Sequence, residues 1–320
     1  MKGLFPLFLL VFPMMAAAQM AEGIEVFGAG NFEVAQPYFE AVLAENDGNA
    51  EAHYYLGRIA LTAEDGDAAV DHLERAVKLE PNRAEYHAWL SQGYLLKLQT
   101  ASSFKQLLLA RKTRRTLLRA IELDPTHVEA HLFLGNYYLA APAIGGGSKK
   151  KARAEAETLI GLDPATGYAF LAQIHRDKDD DNAAEAALHQ ALAHNVEATE
   201  AWYELGVVQQ RQAKYAASSA SFQQAIALEP EHRTAFYQLG KNGAFSGEQL
   251  DDALEPFGVF LRLQDHVNPE ETRLRSGAYW RMGMIHEHRQ DTTAAIAAYQ
   301  QSFAIAPRAE VKAALDRLVP

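Results

Sequence analysis

The chain has 320 residues, 48% of them hydrophobic, with 41 acidic against 30 basic side chains, a net charge of −11 and no cysteine. Without thiols it can form no disulfide, hold no lipidated N-terminal cysteine and use no cysteine nucleophile. The acid excess also argues against nucleic acid as a partner.

Met1 to Gln19 carries Lys2, an apolar stretch from Leu4 to Met15 and then Ala16-Ala17-Ala18, the pattern of a secretory signal cut after Ala18. That stretch is too short to span a bilayer, and no later segment approaches the needed length, so a soluble periplasmic or secreted protein is expected. From there one arrangement recurs about every 34 residues. Leu56-Gly57, Leu134-Gly135, Leu205-Gly206 and Leu239-Gly240 mark a first helix, where the small residue lets a second backbone approach. Ala69-Leu73-Ala76, Ala184-Leu188-Ala191, Ser218-Phe222-Ala225 and Ala295-Tyr299-Ser302 follow, spaced to share one face of a second helix. Pro81, Pro125, Pro164, Pro230 and Pro307 then stop each unit, because proline lacks the N–H a helix needs. The sum is a row of helical hairpins. After Pro307, Ala309, Val311, Ala314, Leu315 and Leu318 at helical spacing predict a closing helix with one solvated face.

These residues resemble the tetratricopeptide repeat (TPR), most closely from Ala201-Trp202-Tyr203-Glu204-Leu205-Gly206 to Pro230. The resemblance implies an all-α class, an α-α superhelix of seven to eight hairpins plus a C-terminal cap. Its repeats would run 50–83, 84–127, 128–166, 167–198, 199–232, 233–275 and 276–309, with a cap over 310–320. A degenerate repeat over 19–49 would precede them, holding Gly23, Ala35, Phe39 and Val42 in the expected slots. The family lines its concave surface from fixed positions of the first helices. Here they imply a partner-binding groove of Tyr54, Tyr55, Arg58, Trp89, Phe133, Asn136, Phe170, Tyr203, Glu204, Lys241, Trp280 and Arg281. Aromatic rings beside a few charges suit capture of a protein segment or peptide, although the same rings can pack between hairpins. Asn136 occupies the asparagine slot of the family's terminal-carboxylate clamp, but Leu132 stands where the clamp has lysine, so that specificity is not carried over.

Two repeats break the period. The one over 84–127 carries about ten extra residues between Tyr94 and Ala120, with Phe104, Leu107, Leu108, Thr113, Leu117, Leu118 and Ile121 continuing an apolar face; it should extend its hairpin by roughly 7 Å. The next gains a glycine-rich loop over 141–148, in which Ser148 is the expected N-cap of the following helix. That helix opens with Lys149, Lys150 and Lys151, where its dipole disfavours positive charge. Arg111 and Lys112 of the lengthened repeat align by slot with Lys150 and Lys151, and Arg114 with Arg153, while Arg115 adjoins them. Lys97 to Arg153 holds eleven basic and three acidic residues. The strip is either a solvated face whose long stems cover apolar surface, or an anion-binding patch for an acidic partner, a lipid headgroup layer or an acidic envelope polymer.

Other constellations reduce to packing. His53, His87 and His131 occupy one repeat slot that later units fill with Tyr168, Trp202, Phe236 and Tyr279, so they are expected as packing rings rather than metal ligands. His286-Glu287-His288 points its imidazoles to different faces and lacks the H-E-x-x-H spacing. Asp177 to Asn182 imitates a calcium loop, yet Asn182 replaces the glycine and Leu188 the bidentate glutamate. The three glycines before Lys149 lack phosphate-loop spacing. With no nucleophile elbow and no dinucleotide fingerprint, neither catalysis nor a cofactor is expected. The expected function is a non-catalytic interaction scaffold of the bacterial envelope; the alternative is a periplasmic solute-transporter accessory holding a small ligand.

Overall fold

The computed structural model describes residues 11–246, 250–263 and 269–318. Among the described residues all regular structure is helical, in seventeen α-helices and one short 3-10 turn, so the fold class is the all-α hairpin array expected. The chain forms two compact units, Met1–Asp163 and Pro164–Pro320.

The first unit contains α1 (Val11–Gly28), α2 (Phe32–Glu45), α3 (Ala50–Thr62), α4 (Gly66–Leu79), α5 (Ala84–Thr100), α6 (Ser103–Leu123), α7 (Val128–Ala140) and α8 (Lys149–Leu162). Each odd helix pairs with the next even one, and α2, α4 and α6 also pack on the odd helix of the following hairpin. Helices α1 and α2 form a hairpin in which Met20 and Phe27 of α1 bury against Ala35, Phe39 and Val42 of α2. Helix α1 runs unbroken through Ala18; Lys2 and the expected apolar stretch up to Leu10 lie outside the described residues.

The second unit contains α9 (Pro164–Arg176), α10 (Asp181–His194), α11 (Thr199–Arg211), α12 (Tyr215–Leu228), α13 (Arg233–Ser246), α14 (Leu250–Arg262), α15 (Pro269–His288), α16 (Thr292–Ile305) and α17 (Ala309–Leu318). Its hairpins close as the small residues predict. A Cβ on Gly206 of α11 would come within 2.6 Å of the Phe222 ring of α12, so only glycine allows this crossing. Helix α17 ends the stack by burying Val311 and Ala314 against Ala295 and Tyr299.

The lengthened hairpin is present: α5 has 17 residues and α6 has 21, against 13 and 14 in α3 and α4. Four more residues add about 6 Å to α5, close to the expected extension. The apolar face is narrower than expected, however. Helix α6 buries Ala110, Thr113, Leu117 and Ala120 at helical spacing, while Leu108 and Leu118 fall outside that stripe and are exposed. A second difference is α15, which begins seven residues before the start of its repeat at 276. A buried ion pair explains this, since Glu271 in the early part of α15 meets Arg233 of α13, and Arg233 Nε also donates to the Leu263 carbonyl at 2.6 Å.

Candidate functional site

The first helices of the first unit assemble a continuous ladder. The Arg58 guanidinium of α3 lies 4.7 Å from the Phe27 ring of α1 and 4.1 Å from the Trp89 ring of α5. Trp89 in turn meets Phe133 of α7 edge-on at 5.4 Å. Four successive hairpins thus contribute one side chain each, with a single cation between two rings that stabilise it through their negative faces. Tyr54 is fully buried, receives a hydrogen bond from Arg58 Nη1 at 2.9 Å and donates to Glu85. Burial, then the Glu85 carboxylate, push the Tyr54 hydroxyl well above the usual tyrosine range. Tyr55 stacks on Phe39 at 4.8 Å. Asn136 stands one turn beyond Phe133, half-buried. Trp89 also lines an open cleft of about 440 Å³ with Glu85 and Glu129.

In the second unit Phe170 is buried and Tyr203 stacks on His232 at 5.0 Å. Glu204 is paired with Arg176, so its charge is already engaged within the chain. Lys241 of α13 and Arg281 of α15 both approach the ring of Phe245, at 5.7 Å. Arg281 donates to the Tyr237 hydroxyl at 3.1 Å and approaches the Trp280 ring to 5.3 Å.

The basic strip lies in the first unit and is unevenly engaged. Lys112 pairs with Glu74 at 3.4 Å and Arg153 with Glu157 at 3.2 Å. Lys151 lies 5.2 Å from the Tyr138 ring, and Arg114 rests against Gly146. Arg111, Arg115 and Lys150 are exposed and make no ion pair among the described residues. Lys149, also exposed, opens α8, which Ser148 caps as expected by accepting from the Lys151 N–H at 3.3 Å.

The glycine-rich loop is a packed spacer. The N–H groups of Gly145 and Gly147 both donate to the Pro142 carbonyl, and that of Gly146 to the Ala143 carbonyl. A Cβ on Gly147 would collide with the Ala141 carbonyl oxygen. Because these donors are spent internally, the loop offers no phosphate cradle. The acidic stretch is engaged likewise: Arg211 bonds Asp179 at 2.8 Å and Asp181 at 3.2 Å, while Asp180 caps α10.

The histidine slot carries a device that residue type alone did not reveal. Ring nitrogens of His53, His87, His131 and Trp202 reach the carbonyls of Asp47, Pro81, Pro125 and Val196, at 3.0, 2.8, 3.1 and 2.8 Å. Each carbonyl lies six residues back, in the turn that ends the previous hairpin. The constant spacing was the available signal, because only a ring with an N–H can fill the slot and satisfy the carbonyl as well.

Comparison with known proteins agrees with this geometry. Families described as tetratricopeptide repeat match residues 26–93 and 276–308, and the family described as TRAP transporter T-component matches residues 84–221. No curated protein matches the chain. Among solved structures, a thermophilic TPR protein of Thermus thermophilus is 20% identical with a TM-score of 0.55, covering 61% of this chain and 99% of its own. The Cut9–Hcn1 hetero-tetramer of the APC/C gives 17% identity and a TM-score of 0.60 over 94% of this chain and 55% of that one. PilF of Pseudomonas aeruginosa gives 14% and 0.55 over 73% and 96%. At such identities the likeness is one of fold.

Proposed function

We propose that this chain, which has the fold of a tetratricopeptide-repeat array and matches that family over residues 26–93 and 276–308, is a non-catalytic scaffold of the bacterial cell envelope, binding a protein partner within a TRAP-transporter assembly. Repeats of this kind indicate protein–protein interaction. The narrower assignment rests on one observation: the T-component family matches residues 84–221, which contain both breaks in the period, the lengthened α5–α6 hairpin and the glycine-rich loop before Lys149. Those are the features that a generic array of hairpins does not require.

The ladder of Arg58, Trp89 and Phe133 offers half-buried rings and a cation on three successive first helices, the chemistry of a peptide or protein contact. Exposed Arg111, Arg115 and Lys150 give the same unit a local positive face for an acidic partner surface. The secretory pattern ending at Ala18 supports export to the periplasm. No helix among the described residues is long and apolar enough to cross a membrane.

Chemical crosslinking in intact cells of the native host, followed by identification of peptides joined to this chain, tests the proposal. A TRAP-transporter polypeptide joined through residues of 84–221 is expected. Crosslinks only to proteins unrelated to transport would remove the transporter assignment and leave the general scaffold.

A further inference from the structure

The ring slot of the hairpin over 50–83 differs from its counterpart over 128–166 in what faces it. There the Nδ1 of His131 meets a carboxylate, that of Glu155, at 2.7 Å. Across from His53 the second helix instead presents another imidazole, and His53 Nδ1 and His72 Nδ1 lie 3.0 Å apart. The two spacings, 19 residues here and 24 there, differ by about the length that the glycine-rich loop adds. His72 and Glu155 therefore occupy one repeat position.

The Asp47 carbonyl fixes which nitrogen of His53 is free. It lies 3.0 Å from Nε2 and can only accept, so Nε2 carries the proton and Nδ1 presents its lone pair toward His72. A ring held by its far N–H on a backbone carbonyl has the posture of a metal-ligating histidine. The two rings are not stacked: their planes tilt by 43° with centroids 5.3 Å apart, and the nitrogens approach first. For metal–nitrogen bonds of about 2.05 Å, nitrogens 3.0 Å apart subtend about 94° at the ion. That is the cis angle of a tetragonal or octahedral centre.

The pair is also held in advance. Arg75, one turn beyond His72 on α4, pairs with the Asp47 carboxylate at 3.3 Å, while the carbonyl of the same residue holds His53. Asp47 thus braces both rings and neutralises a cation that would oppose a metal. Burial and the His53 ring disfavour a proton on His72, whereas the Asp71 and Glu40 carboxylates favour positive charge there. Both rings are half-buried, which leaves an ion a way in.

We infer that His53 and His72 form a metal site in the first unit, binding a divalent transition-metal ion through their two Nδ1 atoms. On binding, the ring proton of His72 moves from Nδ1 to Nε2, so that both Nδ1 lone pairs face the ion. No group of three metal-ligating side chains converges among the described residues, so water fills the remaining positions. Two neutral imidazoles at a cis angle suit Cu2+ best, because copper takes tetragonal nitrogen and oxygen sites and stands highest in affinity among the first-row divalent ions. The site lies outside residues 84–221, on which the transporter assignment rests, so either can fail alone.

Titration of the untagged full chain with Cu2+, followed by calorimetry and electron paramagnetic resonance, tests the site. One ion per chain should bind in the tightest class, show hyperfine coupling to two imidazole nitrogens and raise the melting temperature. His53→Gln and His72→Gln should each weaken that class by at least about tenfold. His53 keeps its tie to Asp47 in His72→Gln, so this variant should melt as wild type without metal even where His53→Gln does not. His286→Gln, outside the pair, should leave the tightest class unchanged. Absence of saturable binding, coupling to a single nitrogen, full affinity in a folded His72→Gln variant, or an equal loss in His286→Gln would each overturn the site.

Discussion

At the residue scale, the ring slot at the start of each hairpin does two things at once. His87 is buried and donates to the Pro81 carbonyl, so His87→Phe keeps the packing but strands that acceptor. A loss of about 1 kcal/mol in urea unfolding is expected, with His87→Trp losing less because indole restores the donor. His131 adds a charge to the same arrangement. Its Nδ1 lies 2.7 Å from the Glu155 carboxylate, a hydrogen bond that, opposed by burial, raises its pKa above the ordinary value. The stabilisation is therefore fully present below about pH 6.5 and is lost as pH climbs through the raised value. His131→Gln should cost more near pH 5.5 than near pH 8.5, and a pH-independent cost in thermal melts would contradict the ion pair. The sequence placed these rings in the right slot through the repeat register. It did not reveal their carbonyl partners, because residue type alone says nothing of which backbone oxygen a ring N–H will face.

At the element scale, register explains what could be read in advance and what could not. Hairpins, caps and stops follow from local chemistry, so Ser148 could be assigned as the α8 cap and Pro307 as the last break before α17. The early start of α15 could not, since it depends on Glu271 meeting Arg233 across 38 residues. Nor could the exposure of Leu108 and Leu118, which depends on the rotation α6 adopts against α5 and α7. The candidate site divides in the same way. Arg58, Trp89, Lys241 and Arg281 were found by slot, whereas Phe27 and Phe245, which join them, lie outside the slots that define the groove. The turns between paired helices carry an unexpected cost: Glu64, Asp179, Ala213 and Gln290 all take left-handed backbone conformations, with φ from 56° to 61°. Ala213→Gly should raise stability by about 0.5–1 kcal/mol, because glycine adopts that region without strain. In contrast, Gly147→Ala should displace the glycine-rich loop and lower the melting temperature, since its Cβ has no room beside Ala141.

At the scale of the whole molecule, a row of hairpins stabilises itself through contacts between neighbours and leaves the first-helix faces available for binding. Here those faces carry a cation–ring ladder in the first unit and, in the second, Lys241 and Arg281 beside the ring of Phe245. The repeats thus account for architecture, and the irregular segment from α5 to α8 lies within the stretch that resembles the TRAP transporter T-component family. Native mass spectrometry of the full chain purified from its own cells tests that account most directly. Recovery as a complex with a TRAP-transporter polypeptide is predicted, with the complex weakened by Lys150→Glu or Arg115→Glu. Recovery of the chain alone, with no polypeptide partner under conditions that keep other envelope assemblies intact, would contradict it.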